Sequence, residues 1–195
     1  MVEVIINGGP IMIPLLLCSI IAVAVALERA WVLLRNRTDS EDLMEDVKLS
    51  LGQGKVLEAM QMTKKARGPV ASVLAAGIAY YDRDTEEVKA HMNEVGKEEI
   101  YKMEKRMNVL QMIVSVAPLL GLLGTVTGIM DAFNILDAMQ GISRPQDLSG
   151  GIAEALITTA AGLMIAIPAL VAHSYLSTII DRNIAEMSKR ATELL

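Results

Sequence analysis

Apolar positions run almost unbroken in three blocks, at about residues 11–27, 109–133 and 150–172. Each is long enough for a membrane helix, which takes about 17–25 mostly apolar residues. Gly8, Gly9 and Pro10 punctuate the start of the first block, and Pro14 falls in its first turn. Between the first and second blocks apolar residues return at helical steps. The pattern predicts a helix over 40–51, capped by Ser40 or Asp39 and ended by Gly52 and Gly54. It predicts two more helices, over 55–66 and 69–81, separated by Gly68-Pro69. A fourth starts behind a threonine cap at Thr85, with Val88, Met92, Val95, Met103 and Met107 on its apolar face. No proline follows until Pro118, so this helix is expected to run unbroken into the second block. Past the third block, Ile179, Ile180, Ile184, Met187 and Leu194 keep the helical period, so that helix is expected to continue beyond the membrane. The fold class is an all-α membrane protein with three transmembrane helices and long cytoplasmic helical extensions.

Basic residues orient these spans, because Lys and Arg accumulate in cytoplasmic segments. The stretch 28–108 holds fourteen of the 18, residues 134–149 hold Arg144, and 173–195 hold Arg182, Lys189 and Arg190. The expected layout is a periplasmic N-terminus (1–10), span one (11–27), a cytoplasmic helical region (28–108) and span two (109–133). A periplasmic loop (134–149), span three (150–172) and a cytoplasmic tail (173–195) follow. A cleaved signal peptide is disfavoured. No Lys or Arg precedes the first block, and ERAWVLLRNR follows it instead of small cleavage-site residues. Trp31 falls just after the first block, where an interfacial aromatic belongs.

Composition narrows the function. A net charge of -5 argues against nucleic-acid binding, and 52% hydrophobic residues exceed what a soluble domain carries. One cysteine, Cys18, allows no intrachain disulfide; with His91 and His173 it makes no zinc signature. No nucleophile–base pair, metal triad or phosphate-binding glycine loop is visible, so neither enzyme chemistry nor a cofactor is expected.

The chemistry-bearing residues lie in the spans. Span three reads GGIAEALITTAAGLMIAIPALVA. A carboxylate inside a membrane helix costs about 2.5–3.5 kcal/mol or more, and such a residue normally faces a cavity or another helix. At about 100° per residue, Glu154, Thr158, Ala161 and Ile165 share one face. Ala155, Thr159, Gly162, Ala166 and Ala169 form a second, small face suited to close helix approach. In span two Ala117, Gly121, Thr125 and Gly128 form a similar row, and Gly124 and Gly128 a GxxxG pair. These small faces, with Gly121, Gly124, Gly128 and Gly162 as packing residues, are expected to join helices within a homo-oligomer. Asp131 is read as interfacial, and His173 as a plain residue of the inner end.

APLLGLLGTVTGIM followed by GGIAEALITTAAGLMIAIPA resembles the ExbB/TolQ family, related to the flagellar stator protein MotA. Glu28-Arg29 after span one, the three-span order and the large first cytoplasmic loop fit as well. MotA itself is a weaker match, since that branch has four spans. The resemblance implies a proton-channel subunit of a bacterial inner-membrane motor. It implies a pentamer around a single-span ExbD/TolR-like partner whose aspartate carries the proton, embedded in membrane lipid. It implies work delivered to the envelope, through a TonB-like transducer for import or through a Tol-type integrity system; the shared motifs leave that branch open. Carried over by motif, the ion path falls on Thr125, Glu154 and Thr159. The helical faces select Thr158 beside Glu154, so both threonines stay candidates. A non-conducting membrane anchor is the reading from another class. It expects apolar replacements at these positions to be tolerated.

Overall fold

The computed structural model describes residues 8–35, 40–138 and 145–195. Every regular element among the described residues is an α-helix: α1 (Met12–Arg35), α2 (Ser40–Gly52), α3 (Val56–Lys65), α4 (Pro69–Ala79), α5 (Thr85–Glu104), α6 (Met107–Ala138) and α7 (Pro145–Leu194). Three helical stretches, within Met12–Gly52, Thr85–Asn134 and Ser149–Leu194, are long and apolar enough to cross a membrane. The chain is an all-α membrane protein.

It divides into two compact units. The first comprises Met1–Glu28 and Arg106–Ser174 and holds the apolar blocks. Its α6 buries Leu110, Ile113, Ala117, Gly121, Gly124, Gly128 and Ala132, a stripe stepping by three and four. Against it α7 buries Ala155, Thr158, Gly162, Ala166 and Ala169, while α1 buries Met12, Leu15, Ala22 and Val25. The remaining apolar side chains, such as Ile20, Leu119, Leu122, Phe133, Leu156 and Met164, are exposed on the single chain. In lipid that exposure carries no hydrophobic penalty, which is why packing here selects small residues instead.

The second unit comprises Arg29–Lys105 and Tyr175–Leu195. Its core is ordinary and aliphatic: Met44, Val47, Leu74, Ile78, Met92 and Met103, with Ile179, Ile180 and Met187 from the end of α7. Gly77 lets α4, α5 and α7 converge, since a β-carbon there would stand 2.7 Å from both Met92 Sδ and Leu194 Cδ2. Polar links tie α2 to the α7 tail. Ser40 Oγ donates to Glu186 Oε2 at 2.9 Å, and Lys48 Nζ meets Glu193 Oε2 at 3.4 Å. Glu193 also accepts from Arg190 Nη1 at 3.0 Å. That hydrogen bond from Arg190 holds the Glu193 carboxyl below the usual carboxylate range, with Lys48 adding to it.

Three local expectations are corrected. The helix from Thr85 does not run unbroken into span two: α5 ends at Glu104 and α6 begins at Met107. Arg106 takes the left-handed region, φ 67°, and its guanidinium pairs with Glu28 at the end of the first apolar block. Thr85 is the first residue of α5 rather than its cap; Asp84 holds the cap position, without a side-chain cap bond. Ser40 likewise lies within α2 and gives its hydroxyl to Glu186. Asp39, the other candidate cap, lies outside the described residues.

Candidate functional site

The seam between α6 and α7 collects most of the residues singled out from the sequence, and it does so within one chain. Four glycines make it possible. A β-carbon at Gly128 would stand 2.8 Å from the Gly151 carbonyl oxygen, and one at Gly121 3.0 Å from the Thr158 carbonyl oxygen. At Gly162 it would stand 2.6 Å from the Ala117 carbonyl oxygen, and at Gly124 2.5 Å from Thr158 Cβ. So the small rows of spans two and three meet each other, backbone against backbone, without a second copy. Gly151 belongs to the same seam. Its own β-carbon would lie 2.7 Å from the Gly128 carbonyl oxygen.

The two adjacent threonines part company here. Thr158 is 1% exposed and packs on Gly124. Its hydroxyl turns back on its own helix, donating to Glu154 O at 2.8 Å and Ala155 O at 3.0 Å. Thr159 is half-buried, and its Oγ1 donates across the seam to Gly121 O at 3.0 Å. Thr125 stands one turn beyond Gly121 on α6, also half-buried, with Oγ1 donating to Leu122 O at 2.6 Å. Thr127 shares its hydroxyl between Leu123 O and Gly124 O, both at 3.1 Å. Each hydroxyl thus spends its single proton on a backbone carbonyl. What remains free on Thr125 and Thr159 is acceptor capacity.

Glu154 lies elsewhere. It is half-buried on α7, and its carboxyl rests against Gly9, in the turn that precedes α1. Thr158 is tied to Glu154 through the Glu154 backbone carbonyl, not its carboxyl. Asp131 is exposed near the end of α6. Gly9 was legible from the sequence only as punctuation. No pattern in a single chain links it to a residue so far along.

Among the described residues no group of His, Cys, Asp and Glu has the arrangement of a metal site. The chemistry on offer is that of hydroxyls, backbone carbonyls and one carboxyl in an apolar surround. Such groups can pass or hold a proton; they contain no nucleophile activated by a base.

Residues 65–189 match the MotA/TolQ/ExbB proton channel family. A Synechocystis sp. protein that carries the name biopolymer transport protein ExbB-like 1 is 34% identical over 191 residues, 96% of this chain and 75% of its own length. The biopolymer transport protein exbB1 of Vibrio cholerae is 29% identical over 89% of this chain and 78% of its own. The Tol-Pal system protein TolQ of Haemophilus influenzae is 46% identical over 86 residues, 44% of this chain and 37% of its own.

Proposed function

The chain belongs to the MotA/TolQ/ExbB proton channel family, and from that premise we propose that it is the proton-conducting subunit of an ExbB-type motor in a bacterial inner membrane. It works as a homo-oligomer, a pentamer, around a single-span ExbD/TolR-like partner. It converts the proton motive force into work on the envelope, through a TonB-like transducer in outer-membrane import. It performs no catalysis and needs no cofactor. A TolQ-like role in envelope integrity is the second reading, supported by the local likeness to the Haemophilus protein.

One observation carries the proposal: Thr159 reaches across the α6–α7 seam to Gly121 and Thr125 stands one turn further along α6, each with its proton already committed to a carbonyl. Such hydroxyls are poised as acceptors. A protonated carboxylic acid on the partner donates to them directly. A deprotonated carboxylate finds a donor only when a threonine rotates off its carbonyl, so the resting seam favours the acid form. Neutral hydroxyls carry no charge to trap the carboxylate, which lets it leave once its proton is released. Glu154 stands apart, at the outer end, where it attracts cations or gates entry.

The test is proton flux in liposomes containing this chain and its partner. Val is nearly isosteric with Thr, and the carbonyls freed in Thr125→Val and Thr159→Val still accept from their own helices. The partner should therefore remain bound in a pull-down. Flux should fall about tenfold or more, in line with the roughly 1–3 kcal/mol cost of a buried polar group left unmet. Glu154→Gln should lower it less. Unchanged flux in both threonine variants, with the partner retained, would sink the hydroxyl mechanism and favour a non-conducting anchor.

A further inference from the structure

The carboxyl of Glu154 and the backbone of Gly9 are in closer contact than any other residue would permit. A β-carbon on Gly9 would overlap the Glu154 Oε1 atom. Gly9 also has φ +67°, the left-handed region that glycine enters without penalty. The turn that follows it is held by backbone bonds. Gly9 O accepts from the Met12 amide at 3.2 Å, Pro10 O from Ile13 at 3.2 Å, and Ile11 O from Leu15 at 3.3 Å. Pro10 locks the next φ. The turn is therefore the first coil of α1 pulled tight, and Glu154 is the flexible partner, with three rotatable bonds before its carboxyl. Whatever stands at position 9 decides where that carboxyl sits.

We propose that Gly9 is a positioning residue for Glu154: its bare α-carbon forms the seat that holds the carboxyl beside the start of α1, at the outer end of the ion path. The proposal deepens the proton-channel reading and rests on it for its consequence in flux, though the seat itself is a matter of geometry. The seat fixes the carboxyl against the first span rather than letting it swing toward the α6–α7 seam. That separates the carboxyl from the threonine hydroxyls. A carboxyl released from the seat reaches along α7 and meets protons at a different depth.

The experiment reads the carboxyl directly and the flux beside it. Dicyclohexylcarbodiimide adds a protonated carboxyl across its C=N bond, and mass spectrometry of the peptide containing residue 154 gives the rate of labelling. Three variants are compared with the parent in the assembled complex: Gly9→Ala, Glu154→Asp, and the two together. Gly9→Ala is expected to raise labelling at residue 154 roughly tenfold, the factor matching about 1.4 kcal/mol of lost seating, and to lower flux. Glu154→Asp shortens the side chain by one methylene, so in the double variant the overlap is relieved and both readouts should return most of the way to those of Glu154→Asp alone. Strain at φ +67° alone would not be rescued by shortening residue 154. Should Gly9→Ala prevent assembly, recovery of assembly in the double variant becomes the readout. Labelling that Gly9→Ala leaves unchanged, or an effect that Glu154→Asp does not relieve, overturns the seat. If labelling responds as expected but Glu154→Ala leaves flux intact, the seat stands and the place of Glu154 in the ion path falls.

Discussion

A methyl group added at Gly162 would press within 2.6 Å of the Ala117 carbonyl oxygen and 3.2 Å of the Gly121 α-carbon, so α6 and α7 must separate to admit it. Overpacking of this kind costs about 1–3 kcal/mol. Gly150, twelve residues earlier on the same helix, has nothing within 4 Å of its would-be β-carbon. There alanine should be neutral or stabilising, since it favours a helix over glycine by about 0.8–1.0 kcal/mol. Thermal melting of the purified complex should therefore fall for Gly162→Ala and hold or rise for Gly150→Ala; equal melting points would mean that the seam is not close-packed. The glycines of this seam were visible in the sequence because small residues recur at helical spacing. Their partner was not visible, because spacing fixes a face and leaves open which helix meets it. The seam closes within one chain, where the sequence pattern alone suggested contacts between copies. The same limit applied to Thr158 and Thr159. They lie about 100° apart on the helix, and only the position of α6 decides that Thr159 reaches Gly121 while Thr158 packs on Gly124.

At the scale of elements, the helices of the second unit were legible to within a few residues, since each ends at glycine, proline or a charged turn. The interruption at 105–106 was not. It contains neither glycine nor proline, and its cause is nonlocal: Arg106 leaves helical geometry and pairs with Glu28, brought close only by the fold. The cost of a left-handed arginine, about 1–3 kcal/mol, is invisible to any local pattern. The α7 tail offers a test of a local link, reinforced by Lys48 from α2. Glu193 is held below its ordinary value of 4.5, chiefly by the hydrogen bond from Arg190. A carboxyl whose folded value is depressed adds stability above its unfolded value, and that contribution is lost as pH falls through the folded one. The last turn of α7 should accordingly hold at neutral pH and fray as pH drops below 4.5. Amide protection over the last turns of α7, measured relative to intrinsic exchange at each pH, should fall in acid, and Glu193→Gln should be less protected at neutral pH with a weaker acid response. An acid response identical in parent and variant would assign the effect to other carboxylates.

For the whole molecule, the apolar windows of the three candidate spans are only 22%, 28% and 33% buried by the chain itself. Most of their surface is left uncovered by the chain, as suits helices that lie in a membrane. The packing of the second unit adds a constraint that charge counting lacks. Ser40 and Lys48 contact Glu186 and Glu193, so the segment after span one and the segment after span three lie on one side of the membrane. Three crossings satisfy this, because both segments then follow an odd number of spans. Together they hold seventeen of the 18 basic residues, and from that count we propose that this side faces the cytoplasm. In a Cys18→Ser background, Gln61→Cys and Ser188→Cys should react with a membrane-impermeant maleimide only after permeabilisation. Ile142→Cys should react in intact spheroplasts. Labelling of Gln61→Cys and Ser188→Cys from opposite sides would contradict the packing of α2 on the α7 tail. Labelling of both from outside would keep that packing and invert the orientation.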